Sequence, residues 1–324
     1  MKLNIDTKLV VSPSPHVRSS ITTAEIMRDV VIALIPAGIV GVAYYGMHAA
    51  FLILMSVFAC VAFEYITRRI LKRPNTIGDL SAVVTGLLLA YNVPSTLPLW
   101  MIVIGAFAAI VVVKQFFGGI GQNFVNPAIA ARIVLMTSFP VYMTSFITPY
   151  SEIDAVTTAT PLSMYAQPGA PTIGQLFLGL HGGCVGEVCA LAILAGFAYL
   201  LIRKVVTPTI TVSFVGTVAV IMLLAGGFDF NYMIYELLSG GLLLGACFMA
   251  TDYATSPINN TGRIVFGIGC GIITCLIRIF GSLAEGVSFA ILLMNILTPH
   301  IENLTAPKVF GAPKKSAKKG GAKA

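Results

Sequence analysis

Long apolar stretches alternate with short polar segments along almost the whole chain of 324 residues. Ten of these stretches approach the roughly 20 residues that a helix needs to cross the hydrocarbon core of a bilayer. The pattern therefore predicts an all-α polytopic membrane protein with about ten membrane-spanning helices. The predicted spans are residues 27–46, 49–67, 77–92, 98–117, 124–139, 184–203, 208–226, 236–252, 262–280 and 283–300.

Polar residues, glycines and prolines interrupt several of these spans. Residues 92–94 (NVP) end the third span, residues 126–127 (NP) open or break the fifth, and residues 252–257 end the eighth. Irregular backbone at membrane depth is stable only where it is buried in protein or lines a cavity, as in many transporters. We therefore expect these breaks to lie inside the protein and not against lipid.

Two short segments suggest an internal repeat. Residues 85–90 (TGLLLA) resemble residues 240–245 (GGLLLG), and both precede a polar break that contains proline. They lie in the third and eighth spans, which predicts two pseudo-symmetric five-helix halves that are inverted relative to each other. Chance similarity is the alternative, since Gly-Leu runs are common in membrane helices. The predicted division is an N-terminal cytoplasmic segment (1–26), a first five-helix half (27–139), an extracytoplasmic loop (140–183), a second five-helix half (184–300) and a Lys-rich cytoplasmic tail (301–324).

Composition excludes a soluble enzyme. Hydrophobic residues make up 57% of the chain and charged residues only 10%, whereas soluble proteins carry about 25% charged residues. The net charge of +7 does not indicate a nucleic-acid-binding surface, because residues 306–324 hold six lysines and no acid. Without that tail the net charge is +1.

The distribution of basic residues predicts the orientation in the membrane. With ten spans, the basic loop at residues 68–73, most other basic residues and both termini lie on one side. The positive-inside rule makes that side cytoplasmic. The longest interior loop, residues 140–183, contains no Lys or Arg and is therefore placed outside.

Charged residues inside apolar stretches are functional candidates, because a charge in a membrane is costly. Glu64, Asp79 and Asp252 are predicted ion-pathway carboxylates, with Asp252 the strongest candidate. For Glu64 the alternative is an ion pair with Arg68 on the same helix face, and for Asp79 it is a cap of the third span. Four further charged residues lie in or beside apolar stretches: Arg132, Glu187, Arg278 and Glu285.

Three segments together resemble the NqrB/RnfD family: residues 26–37 (IMRDVVIALIPA), 79–90 (DLSAVVTGLLLA) and 118–128 (GGIGQNFVNPA). The family contains the D-type component of the Rnf complex, which is the ion-translocating ferredoxin:NAD⁺ oxidoreductase, and the B-type component of the sodium-translocating NADH:quinone reductase. The resemblance covers about residues 12–305. It implies a subunit that carries electrons in the cytoplasmic membrane of a bacterium or archaeon, coupled to translocation of Na⁺ or H⁺.

The resemblance also implies a covalent FMN on the outward loop. Members of this family hold FMN by a phosphoester to a Thr hydroxyl, within a motif of Asp, two free positions, Ser or Thr, usually Gly, Ala, and then Thr or Ser. Asp154, Thr157, Ala159 and Thr160 match this motif, and Thr160 is the implied attachment residue. Thr158 stands where the family usually has Gly. The small Ala159 would let a flavin transferase approach the hydroxyl closely.

A second, noncovalent flavin, riboflavin, is implied in the membrane part. Asn123 and Asn126 flank a glycine-rich entry to the fifth span, where backbone N–H groups can face a cofactor. Arg132 is a further candidate contact for a flavin oxygen. No metal site is expected on this chain, because its cysteines and histidines lack ligand spacing.

The implied partners are membrane Fe–S subunits, a second FMN-carrying subunit, peripheral ferredoxin and NAD subunits, and a flavin transferase. The chain has no motif for ATP or NAD, so no complete active site is expected on it alone. A small-solute channel or transporter with two inverted halves is the main alternative, and a structural anchor for redox partners is another. The motif at residues 154–160 favours the redox function, because a simple pore does not need it.

Overall fold

The computed structural model describes residues 21–150, 161–165, 167, 169–281 and 285–307. The chain is mostly helical there and has no β-strand, with one isolated β-bridge between Pro94 and Cys184. The helices are α1 (Thr23–Tyr45), α2 (Met47–Ile70), α3 (Ser81–Tyr91), α4 (Leu99–Phe107, continued by a π-helix at Ala108–Gln115), α5 (Pro127–Ser138), α6 (Pro140–Met143), α7 (Ile173–Leu178), α8 (Ala190–Ile202), α9 (Thr209–Ala225), α10 (Phe230–Leu238), α11 (Leu242–Leu244, continued by a π-helix at Gly245–Met249), α12 (Asn260–Phe280) and α13 (Val287–Thr305). Short 3₁₀ turns lie at Ile77–Asp79 and Pro161–Ser163.

The lengths of these helices confirm a multi-pass membrane protein. In the described part of the chain, α1, α2, α12 and α13 are each long and apolar enough to cross a membrane. A fifth candidate is the pair Phe230–Leu238 and Leu242–Met249, which bends by 66° at its break. The shorter apolar helices α3, α4, α5, α8 and α9 coincide with the remaining predicted spans. Ten crossings and two related halves stay a prediction.

Helix α5 begins at Pro127, three residues after the predicted start of the span. Asn126 is its N-cap, and the Oδ1 atom of Asn126 accepts hydrogen bonds from the backbone N–H groups of Ala128 (3.0 Å) and Ile129 (3.4 Å). Proline fits the next position, because the first turn of a helix needs no N–H from it. The Asn-Pro pair therefore opens the helix.

Helix α8 begins at Ala190, six residues after the predicted start of the span. The preceding segment instead turns back against the end of α3. The backbone N–H groups of Val185 and Gly186 donate to the carbonyls of Val93 (3.0 Å) and Tyr91 (3.1 Å). The irregular backbone that follows α3 is thus hydrogen-bonded to the irregular backbone that precedes α8.

The predicted span at residues 236–252 is divided into α10 and α11 by Ser239, Gly240 and Gly241. Arg278 of α12 stabilises the division, since its guanidinium donates to the carbonyls of Glu236 (2.7 Å) and Ser239 (3.1 Å). These bonds satisfy carbonyl groups at the end of α10, which a continuous helix would have satisfied itself.

Small residues set the closest helix contacts. Gly267 and Gly271 of α12 face Ser213 and Thr217 of α9, so these two helices pack through a stripe of small side chains. Such stripes are typical of helix pairs in membranes, where close backbone approach replaces the hydrophobic effect. Large apolar side chains point outward elsewhere, among them Phe58, Val212 and Ile39, as expected for a surface against lipid.

Candidate functional site

A cavity lies where the N-terminal end of α5 meets α1, α3 and the π-helix after α11. The cavity is open to solvent, and the space between its wall atoms, solvent included, is about 800 Å³. Asn123, Asn126 and Asp252 line it together with Lys114, Ser81 and a majority of aliphatic side chains. The structure therefore brings together three residues that lie up to 129 positions apart in the sequence and that sequence analysis selected separately.

Asn126 holds this cavity in shape. Besides capping α5, its Nδ2 atom donates to the carbonyl of Met249 in the second π-helix (3.3 Å). Asn123 is used locally, since its Nδ2 atom donates to the carbonyl of Val125 (3.0 Å). π-Helical turns recur at functional sites, and the two π-helices among the described residues each contribute to the cavity wall.

Asp252 follows the second π-helix and faces the cavity. Its carboxylate accepts hydrogen bonds from the backbone N–H of Ala254 (3.4 Å) and the hydroxyl of Thr255 (3.2 Å). Among the described residues it has no ion-pair partner within 4.0 Å. Its role in an ion pathway stays a prediction.

Glu64 lies behind the cavity in a buried ion pair, but its partner is not Arg68. The Nζ atom of Lys114 donates to Glu64 Oε2 (2.8 Å), and Gln115 Nε2 donates to Glu64 Oε1 (3.1 Å). Arg68 donates instead to the carbonyl of Pro74 (3.0 Å). The ion pair of Glu64 with Arg68 that helical spacing suggested is therefore wrong. Packing of α2 against the π-helix at Ala108–Gln115 brings Lys114 close to Glu64 instead.

Asp79 belongs to the same network. Its Oδ1 atom accepts hydrogen bonds from the backbone N–H (2.9 Å) and the hydroxyl (2.6 Å) of Ser81, so Asp79 does satisfy donors at the start of α3. The Ser81 hydroxyl in turn accepts a hydrogen bond from Lys114 Nζ (2.6 Å). Two predicted ion-pathway carboxylates, Glu64 and Asp79, are thus connected through one lysine and one serine.

Arg132 does not line this cavity. It lies at the middle of α5, in a second polar cluster that we call the arginine cluster: Arg132, Asn92, Cys184, Glu187 and Glu285. Arg132 Nη1 donates to Asn92 Oδ1 (2.8 Å), and Arg132 Nη2 forms an ion pair with Glu285. Glu187 Oε2 lies 3.9 Å from Arg132 Nη2. All three charges stand out in the sequence as charged residues in or beside apolar stretches, but no sequence pattern indicates that they meet.

The flavin attachment motif itself, Asp154 to Thr160, lies outside the described residues. The chain is described again from Pro161, which is buried. The carbonyl of Pro161 accepts a hydrogen bond from the hydroxyl of Tyr235 on α10 (3.0 Å). The Tyr165 hydroxyl donates to Asp229 (2.6 Å), and its ring contacts Tyr232 edge-on. The segment that follows Thr160 is therefore fixed against α10.

Comparison with known proteins confirms the resemblance. The family described as the NQR2, RnfD, RnfE family matches residues 10–311. The D-type component of the Na⁺-translocating ferredoxin:NAD⁺ oxidoreductase complex of Acetobacterium woodii is 46% identical over 312 residues, 94% of this chain and 96% of that protein. Its counterpart in the proton-translocating ferredoxin:NAD⁺ oxidoreductase complex of Clostridium ljungdahlii is 40% identical over 326 residues, 96% of this chain and 98% of that protein. The corresponding component of the ion-translocating oxidoreductase complex of Stutzerimonas stutzeri is 36% identical over 332 residues, 91% of this chain and 93% of that protein.

Proposed function

We propose that this chain, which belongs to the NQR2, RnfD, RnfE family, is the D-type membrane component of an ion-translocating ferredoxin:NAD⁺ oxidoreductase. The observation that carries the proposal is a match along almost the whole length of relatives with that name, at 46% and 40% identity. The chain would work with membrane Fe–S subunits, a second FMN-carrying subunit and peripheral ferredoxin and NAD subunits. It would cross the cytoplasmic membrane ten times, with both termini inside.

Thr160 is the proposed attachment residue for FMN, through a phosphoester to its Oγ atom. A bound flavin supplies one-electron relay chemistry, and a covalent link keeps it at a fixed place outside the membrane. The support for this assignment is the match of Asp154, Thr157, Ala159 and Thr160 to the attachment motif. The chain that follows, at Pro161, is held by a hydrogen bond from Tyr235.

The cavity beside Asn126 is the proposed site of the second flavin, riboflavin. Flavins combine an apolar ring system with amide and carbonyl groups on one edge. The cavity combines aliphatic walls with Asn123, Thr85 and Asp252, and small-molecule sites typically combine an apolar lining with a few polar groups in this way. Asn123 would meet the polar edge of the ring. Arg132, in contrast, is engaged by Asn92 and Glu285, so it contributes no wall to this cavity.

The covalent flavin is tested by in-gel fluorescence of the full chain, denatured after production together with a flavin transferase. Wild type and Thr158→Ala are expected to fluoresce, and Thr160→Ala is expected to lose the signal. Both variants remove a threonine hydroxyl, two positions apart, and Thr158 stands where the motif needs no hydroxyl, which makes them a matched pair. Fluorescence that survives in Thr160→Ala refutes the residue. A dark wild-type band refutes the covalent flavin and favours the small-solute pore.

The noncovalent flavin is tested by filling the cavity. Val206 lies at its wall and is only partly buried, so Val206→Trp adds bulk without opening the core. We expect acid-extractable flavin to fall at least tenfold while flavin bound to the denatured chain is unchanged. Val212→Trp, on the exposed face of α9, is the control and should retain both. Equal amounts of extractable flavin in Val206→Trp and Val212→Trp would show that this cavity is not the riboflavin site.

A further inference from the structure

The arginine cluster has one more negative charge than positive charge. Arg132 comes from α5, Glu187 from the irregular segment before α8, and Glu285 from the residue before the N-cap of α13. The three side chains are 6%, 2% and 9% exposed. With all three groups ionised, the cluster carries a buried net charge of −1. An uncompensated charge of this kind is strongly unfavourable in a protein interior.

Hydrogen bonding locates the excess charge on Glu187. Arg132 directs its Nη2 atom to Glu285. Glu187 Oε1 accepts a hydrogen bond from the backbone N–H of Cys184 (2.9 Å). Glu187 Oε2 is buried and has no hydrogen-bond donor within reach in the described part of the chain. A buried carboxylate oxygen rarely lacks a partner, so this oxygen has room in its coordination for a proton, an ion or a water molecule.

The other titratable groups nearby do not compensate the charge. Cys184 contacts Arg132 and Glu187, and the Tyr45 hydroxyl donates to the carbonyls of His181 and Gly183. Thiols and phenols are neutral at neutral pH, so they add no positive charge. Arg278 is paired with Glu236. Within the described residues, Arg132 is the only cationic side chain in an ion pair with Glu187 or Glu285.

We propose that the arginine cluster binds one exchangeable monovalent cation, a proton or a sodium ion, at Glu187 Oε2. A single positive charge there neutralises the cluster and gives the unpartnered oxygen a ligand. A carboxylate oxygen accepts either cation, so the chemistry of the site is the same for both. Glu285 and Arg132 act through Glu187, because one guanidinium serves two carboxylates: it hydrogen-bonds Glu285 and stays 3.9 Å from Glu187 Oε2.

The site lies directly beside the chain that follows Thr160. A Cβ atom on Gly241 would lie 2.9 Å from Glu187 Oε2 and 3.3 Å from Arg132 Nη1. A Cβ atom on the preceding Gly240 would lie 2.9 Å from Leu162 Cδ1 and 3.5 Å from Glu285 Cγ. Only the backbone of Gly240 and Gly241 therefore lies between the arginine cluster and the Leu162 side chain.

This proximity gives the site a role in coupling, which rests on the proposed function of Thr160. A flavin attached to Thr160 would, when reduced by the redox partners of the proposed complex, add negative charge near the cluster. Through a medium of low dielectric, that charge raises the affinity of Glu187 for a cation. The existence of the cation site does not depend on the flavin.

Infrared spectroscopy of the purified complex containing the full chain tests the site. In sodium-free buffer with choline chloride, wild type should show the carbonyl stretch of one protonated carboxyl group that is missing in Glu187→Gln. Glu285→Gln should lose the same band, because Arg132 is then free to pair with an ionised Glu187. Glu25→Gln, the same change at an exposed carboxylate, should keep it. Glu285→Gln keeps the test decisive if Glu187→Gln fails to fold.

Replacing choline with sodium at constant pH distinguishes the two cations. Loss of the band on adding sodium shows that sodium displaces the proton, and an unchanged band shows a proton site; both outcomes support the proposal. A band that survives in Glu187→Gln overturns it, as does a wild-type spectrum without the band. Thr160→Ala should keep the band, and only the change of the band on reduction of the complex should be lost. Failure of the flavin assignment can therefore be told apart from failure of the cation site.

Discussion

At the scale of single residues, Lys114 of the cavity wall forms a buried ion pair with Glu64 behind it. The side chains are 0% and 4% exposed, and their charged atoms are 2.8 Å apart. Thr76, Gln115 and Ser81 satisfy remaining donors and acceptors of the pair. Such a pair adds little to stability compared with apolar residues, but it is costly to break on one side only.

Glu64→Gln should therefore destabilise the protein by about 3–5 kcal/mol, because it leaves the Lys114 ammonium buried without a counter-charge. Thermal unfolding of the full chain in detergent measures this loss. The double variant Glu64→Gln, Lys114→Met removes both charges and should recover most of the stability. If the double variant is as unstable as the sum of the two single variants, the two residues are not coupled.

At the scale of elements, close helix contacts determine where the broken helices can lie. Helix α3 is short, and Gly86 allows it to approach α2 so closely that the Ser56 hydroxyl donates to the Gly86 carbonyl (2.7 Å). This contact holds α3 in place while its C-terminal end carries Asn92 to Arg132. The helix contact and the polar cluster therefore depend on each other.

Gly86→Ala is expected to destabilise the protein by about 1–3 kcal/mol, because the added Cβ would lie 2.7 Å from the Cα atom of Val57 and the helices must separate. Denaturation of the purified chain measures the change. Gly216→Ala on α9 is the matched control, since nothing lies within 4 Å of its Cβ position. Alanine favours the helix there by up to about 1 kcal/mol. Equal effects of the two variants would contradict the close approach.

At the scale of the whole molecule, the proposed orientation can be measured without removing native thiols. All six cysteines are buried, so an introduced surface cysteine should dominate labelling by a membrane-impermeant maleimide. Gly78 and Gly174 are exposed, and each has room for a side chain. Gly78 follows the basic loop at residues 68–73, and Gly174 lies in the loop at 140–183 without Lys or Arg.

We expect Gly174→Cys to be labelled in intact cells and Gly78→Cys only after the membrane is permeabilised. The physical reason is the positive-inside rule, which retains basic loops in the cytoplasm. Labelling of both positions from the same side would show that the number of crossings between them is even. That result would contradict the model of ten spans.

The sequence by itself determined the membrane class, the approximate position of the helices and the breaks near residues 92, 126 and 252, but not the break at residues 239–241 inside the eighth predicted span. Each of these depends on local composition: apolar length sets a span, and the Asn126–Pro127 pair opens a helix through its own side chain and ring. The motif around Thr160 was equally readable, because it is continuous in sequence.

Only the tertiary structure decided which charges meet. Glu64 pairs with Lys114, which lies 50 positions away, and not with Arg68 one helical turn away. Arg132 is joined to Glu285 across 153 positions. A buried charge takes the partner that helix packing brings within reach, and packing is a property of several segments at once. Sequence spacing along one helix carries no information about it.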